Sequence, residues 1–179
     1  MWQRNKNPGD IFGYDFRPGR RGSSQRFAGR SITQEPDTMK TTIRWMGPDT
    51  MRFMAHTGSG HLVAMDGAPE GGGENLAPRP MELVLAGTGG CTAYDVVLIL
   101  RKSGQDIRGC EVRLEADRAD TDPKVFTRIG FHFVVRGRAL KANLVERAIR
   151  LSHDKYCSAS AMLTHTAKLE TSWEIVEDA

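Results

Sequence analysis

Two of the three cysteines keep company that suits chemistry. Cys91 follows Gly87-Thr-Gly-Gly and opens an apolar run, and Cys157 lies in Lys155-Tyr-Cys-Ser-Ala-Ser. Brought together by folding, two such thiols make a dithiol/disulfide couple, the minimum equipment for thiol-based peroxide chemistry. The reactive form is the thiolate, so each sulfur needs a helix N-terminus, a cation or local hydrogen bonds to lower its pKa. Taken singly, each reads as a small buried hydrophobe. The glycines ahead of Cys91 either break a helix, admit another backbone or a substrate, or serve packing.

Other residue types suit metal or acid–base roles. His153 and Cys157 are four apart, a spacing that allows a thiolate–imidazolium pair or half a zinc site, but no second ligand pair is evident. Asp95 lies one helical turn after Cys91 and suits either a hydrogen bond near the site or a buried interface network. His61 follows a turn, Cys110 alternates inward on a strand, and Tyr94 and Trp45 are expected in the core. Glu82 opens the helix that carries Cys91, where a carboxylate meets the positive end of the dipole. Nine residues at about 100° each place it about 180° from Cys91 and about 13 Å along an unbroken helix. A direct partnership therefore needs a break at Gly87–Gly90 or a Glu82 from another subunit.

The elements that must position these groups follow from periodicity. Strands are expected over Thr41 to Met46, Met51 to His56 and His61 to Asp66, with Thr57-Gly-Ser-Gly as a hairpin turn. Gly67 to Arg79 reads as a loop. Pro80 and Glu82 suit a helix start, and Gly104 stops the helix after Ser103. Val96 to Leu100 is apolar all round, which predicts burial on every side. Two alternating strands follow, Cys110/Val112/Leu114/Ala116 and Ile129/Phe131/Phe133/Val135, around a turn at Asp120-Thr-Asp-Pro. Leu140, Leu144, Ala148 and Leu151 mark an amphipathic helix. A helical piece from Asp154 to about His165 carries Cys157, and Leu169, Thr171, Trp173 and Ile175 close the chain as a strand. The order β-β-β-α-β-β-α-α-β is that of an α+β fold.

Composition bounds the rest. A chain of 179 residues, 39% hydrophobic, fits one compact domain plus some excess. The excess is residues 1–38, rich in Gly, Arg, Pro and Ser and without helix or strand period, which read as a disordered or loosely docked extension ahead of a domain over residues 39–179. That extension holds seven Lys/Arg (Arg4, Lys6, Arg17, Arg20, Arg21, Arg26, Arg30) against four acids (Asp10, Asp15, Glu35, Asp37), which accounts for the whole net charge of +3. A neutral body with a basic tail argues against a nucleic-acid partner. Arg and Ser suit a transit peptide, but the acids and the Gly/Pro interruptions oppose it, and no secretory apolar core is seen. Met39 is a candidate translation start. Sparse, odd-numbered cysteine favours a reducing cytoplasm and a transient disulfide. Met81 to Leu100 has the length of a membrane span, yet Glu82 and Asp95 would each cost roughly 2.5–3.5 kcal/mol at its centre, so a buried helix off the membrane is expected.

Residues 40–177 as a whole resemble the OsmC/Ohr family of peroxide-handling proteins, most closely its YhfA-like branch. The resemblance is carried by Ser59-Gly-His, Met65-Asp-Gly, Pro80-Met-Glu-Leu-Val-Leu-Ala-Gly-Thr-Gly-Gly-Cys-Thr-Ala-Tyr-Asp-Val-Val and Lys155-Tyr-Cys-Ser. It implies an intertwined homodimer in which antiparallel sheets wrap long central helices, with a site at the subunit interface. It also implies a peroxidatic Cys91, a resolving Cys157 and an acidic residue matched by Glu82. The sequence departs from the family in two places. The Arg that pairs with the reactive thiolate is absent from the comparable turn, Thr57-Gly-Ser-Gly, with Arg44, Arg52 and Arg79 substitutes by type only. The second Cys is followed by Ser158 rather than Pro.

Two readings of function follow. In the first, the protein reduces organic hydroperoxides: Cys91 becomes a sulfenic acid, Cys157 condenses with it, and a dithiol reductant restores the pair, with no metal or organic cofactor. The second is a non-enzymatic protein of the same fold that binds a small apolar ligand or senses oxidants. The missing Arg favours the second reading, and the retained Cys pair favours the first.

Overall fold

The computed structural model describes residues 38–178. The extension expected over residues 1–38 therefore lies, apart from Thr38, outside the described residues. Strands β1 (Thr41–Trp45), β2 (Phe53–Thr57) and β3 (Leu62–Met65) form an antiparallel meander. Its hairpin turn closes through Thr57 N donating to His61 O at 2.9 Å, with Gly60 at φ +88°, a value that glycine reaches without strain.

The loop after β3 is organised from within. Asp66 is 1% exposed, and its carboxylate accepts from the backbone N–H groups of Gly67 (2.7 Å), Glu74 (3.1 Å) and Leu76 (3.0 Å). These bonds, that of Leu76 foremost, hold the carboxyl below the usual range against the opposing effect of burial. The Met65-Asp-Gly stretch thus folds residues 67–76 around one side chain and leads the chain to helix α1.

Helix α1 (Pro80–Lys102) is followed by β4 (Asp106–Arg118), β5 (Phe126–Arg138), α2 (Ala142–Leu151), a π-helical turn (Ser152–Tyr156), α3 (Ser158–Leu163) and β6 (Lys168–Glu177). The three helices pack on one face of the sheet β4-β5-β6. Val96 and Leu100 from α1, Ile129, Phe133 and Val135 from β5, and Val145 and Ala148 from α2 have no exposed surface. Each buried side chain of this size contributes about 1.5–3 kcal/mol. The opposite face of the sheet carries ion pairs, Arg128 to Asp117 at 2.6 Å and Arg113 to Glu111 at 2.7 Å.

The second sheet is mixed rather than antiparallel: β4 and β5 run antiparallel, but β6 pairs with β5 in parallel, Arg128 opposite Lys168 through Gly137 opposite Glu177. A parallel return needs a crossover, and α2, the π-helical turn and α3 supply it. Helix α1 is continuous through Gly87–Gly90, so the glycines do not break it. A Cβ at Gly89 would lie 2.6 Å from Leu114 Cδ1, so glycine here lets α1 close onto β4. Within one chain α1 is covered on one side only, because Val84, Tyr94 and Leu98 face outward. Tyr94 at 69% exposure and Trp45 at 54% are not core residues.

By length and hydropathy alone α1 could cross a membrane. Here its Val96 and Leu100 side is instead sealed against the protein core.

Candidate functional site

Cys91 sits midway along α1, on the half-buried flank between the packed and open sides. Cys157 arrives on the crossover from β5 to β6. The sequence placed Cys157 inside a helix running from Asp154. In the structure it stands between two helical pieces, with extended backbone (φ −74°, ψ 101°), as the N-cap of α3. The cause is the π-helical turn before it, in which Cys157 N donates to Ser152 O at 2.8 Å across five residues. The wider turn ends the α2 spiral and redirects the chain, and the Cys157 sulfur accepts from Ser160 N at 3.3 Å.

This route brings the two sulfurs together beside a carboxylate. The Cys91 Sγ, the Cys157 Sγ and one Asp95 carboxylate oxygen all lie within 4.8 Å of one another. Asp95 is fixed from the crossover side, where the fully buried Ser152 donates its hydroxyl to Asp95 Oδ2 at 3.0 Å. Cys157 is 2% exposed and Cys91 only half-buried, so an incoming molecule meets Cys91 first.

The electrostatics hold Cys91 in its thiol form. Burial pushes its pKa up, a hydrogen bond with Cys157 pushes the same way, and the charges of Cys157 and Asp95 add to both. The backbone N–H of Ala159, at the start of α3, opposes them. No cation is among the groups acting most on this sulfur. Arg52 pairs with Glu74 at 3.4 Å, and Arg79 caps α1.

The remaining candidates are placed as follows. Glu82 Oε2 accepts from Arg79 N at 2.9 Å, closing the first turn of α1, and since the helix is unbroken it cannot meet Cys91 of its own chain. The His153–Cys157 pairing that the spacing allows is not formed. The π-helical turn breaks the four-residue spacing, and His153 Nδ1 bonds Ser160 Oγ at 3.2 Å instead. The ring stands edge-on to Phe131 at 4.8 Å and Phe133 at 6.1 Å, its Nε2 is buried without a partner, and burial lowers its pKa. His61 Nδ1 bonds Ser59 Oγ at 3.1 Å within its own turn, and Cys110 packs against the core. Nothing in periodicity or spacing singles out Ser152 or Ser160. Ser160 carries a signal only once Cys157 is known as a cap, since a residue three beyond a helix cap is where the capped amide falls.

Residues 71–172 match the family model described as OsmC-like protein, more than half of the chain. The chain belongs to the OsmC-like family. It is 43% identical over 138 residues to Protein YhfA of Escherichia coli strain K12, covering 77% of this chain and 98% of that protein. A hypothetical protein from Aquifex aeolicus VF5 superimposes with a TM-score of 0.68 at 27% identity, over 80% of this chain and 99% of that one. An organic hydroperoxide resistance protein OsmC from Legionella pneumophila shares the OsmC-like fold with a TM-score of 0.58 at 19% identity, over 79% of this chain and 99% of that one.

Proposed function

We propose that the protein reduces organic hydroperoxides through its two apposed thiols, in defence against oxidative stress. The observation that carries this reading is the approach of Cys91 and Cys157 to within 4.8 Å from separate parts of the chain, with the more accessible sulfur on the central helix. The Cys91 thiolate attacks the peroxide ROOH. The O–O bond breaks, an S–O bond forms, and ROH leaves after taking a proton, giving the sulfenic acid. Cys157 then attacks that sulfur, its own proton joins the departing hydroxide as water, and the disulfide forms. A dithiol reductant gives two electrons and two protons to restore the pair. The hydroperoxide resistance activity named for the Legionella relative agrees with this reading.

The same reading takes the protein as a homodimer in a reducing compartment such as the cytoplasm. Sheet β1–β3 contributes nothing to the described hydrophobic core and leaves Ile43, Trp45 and Leu62 exposed. A three-stranded sheet with no core of its own needs cover. The bare side of α1, with Val84, Tyr94 and Leu98, needs the same. Two copies that lend each other these surfaces would satisfy both, place apolar walls around Cys91 and bring one chain's Glu82 toward the other's thiols.

One observation favours the runner-up, a redox-sensing or ligand-binding protein without turnover: Cys91 is held as a thiol and no cation leads the forces on it. Peroxide consumption over many turnovers with a dithiol reductant separates the two. Sustained consumption supports the reductase, and a single equivalent consumed per chain supports the sensor.

A further inference from the structure

We infer that the reduced site is also a binding site for a thiophilic divalent cation, with Zn²⁺ the fitting ion, held by Cys91, Cys157 and Asp95. The donor set is two sulfurs and one carboxylate oxygen, all within 4.8 Å of one another. Tetrahedral zinc, with bonds of about 2.0–2.3 Å, holds its ligand atoms within that separation. Sulfur ligands select zinc-like ions over magnesium or calcium. Three protein ligands leave a fourth position for water or a small ligand, which enters on the Cys91 side because Cys157 is shut in.

A dication bound here draws both thiols into their anionic form, releasing two protons. One further feature fits a cation. Asp95 is oriented by Ser152, whose bond to Oδ2 leaves the second carboxylate oxygen for a metal.

Occupancy and disulfide formation exclude one another, because they use the same two sulfurs. This regulatory consequence rests on the peroxide reading, although the binding site itself does not. Oxidation of the loaded site consumes one ROOH and two protons, yields ROH and water, forms the S–S bond and frees the ion.

The test uses the reduced full-length chain without oxygen. Co²⁺ alone is added and sulfur-to-cobalt charge-transfer absorption is followed, and Zn²⁺ is then titrated against a chromophoric chelator. One ion per chain is expected. Binding should be lost in Cys91→Ser, Cys157→Ser and the disulfide form of the unmutated chain, weakened about tenfold or more in Asp95→Asn, and unchanged in Cys110→Ser. Absence of the charge-transfer band overturns the inference, and so does a band indifferent to Cys157→Ser, to Asp95→Asn or to prior oxidation. Intact mass of the metal-free protein after one equivalent of peroxide is read in parallel. Loss of two hydrogens with no cobalt bound leaves the peroxide reading standing and ends this one, whereas cobalt bound with no disulfide formed does the reverse.

Discussion

Ser152 donates its hydroxyl to Asp95 Oδ2 at 3.0 Å, joining the turn that delivers Cys157 to the helix that carries Cys91. Ser152 is fully buried, so its removal takes this partner from Asp95 Oδ2 and leaves a small void behind it. Ser152→Ala should cost about 1–3 kcal/mol, seen as a lower Tm, and should slow closure of the disulfide after peroxide addition. Sulfenic acid at Cys91 should then persist long enough to be trapped by a carbon nucleophile. A closure rate equal to that of the unmutated chain would show that the bond does not position the thiols.

The two cysteines should divide the chemistry by access. Cys91 is reachable and Cys157 enclosed, so Cys91 should be oxidised first. In Cys157→Ser, intact mass after excess peroxide should show oxygens added at Cys91, through sulfinic to sulfonic acid. Cys91→Ser should abolish consumption. A disulfide that runs through Cys110 would refute the assignment.

The pH dependence follows from the direction of the Cys91 shift. Burial and the neighbouring Cys157 favour the protonated thiol, so the thiolate fraction at neutral pH is below that of a free cysteine of pKa about 8.5. Linkage gives the sign: this contribution to stability is complete below the unfolded thiol value and is lost as pH rises through the folded one. Alkylation of Cys91 by iodoacetamide should therefore accelerate with pH and inflect above free cysteine. An inflection below neutrality would mean that a cation absent from the single chain reaches the sulfur.

The uncovered apolar surfaces predict assembly. Light scattering at micromolar concentration should give twice the chain mass. Val84→Glu combined with Leu98→Glu, both on the bare side of α1, should halve it while leaving the helix content intact. A monomeric unmutated chain would remove the support for an interfacial site.

The parts of this fold legible from sequence are those with a clean period. The odd residues of β5 from Ile129 to Val135 point inward as their alternation requires, and α1 begins at Pro80 and ends at Lys102 where proline, Glu82 and Gly104 mark its limits. The turn at Cys157 was hidden because Lys155-Tyr-Cys-Ser-Ala-Ser contains no glycine or proline. Its π-helical geometry is set by a bond from Cys157 to Ser152 and by packing on α1. The parallel run of β6 was hidden for a different reason: alternation tells which face a residue takes and not which way its neighbour runs. Tyr94 and Trp45 misled because an aromatic residue type reads the same in a core and on a bare face. Cys91 and Cys157 were legible as a pair through the family resemblance, while Ser152, which organises them, offered only a common residue type.

The crossover from β5 to β6 gives the thiol pair a reach beyond its own chemistry. Cys91 lies before β4 and Cys157 after α2, so a Cys91–Cys157 disulfide would tie the chain into a covalent ring that contains β4 and β5 and leaves sheet β1–β3 and strand β6 as open tails. A ring of that length restricts the unfolded chain by about 4 kcal/mol. The oxidised protein should melt higher than the reduced one. By the same cycle the native fold makes the disulfide harder to reduce than it is in the denatured chain by that same amount, so a reductant that resets this site would work against that difference as well.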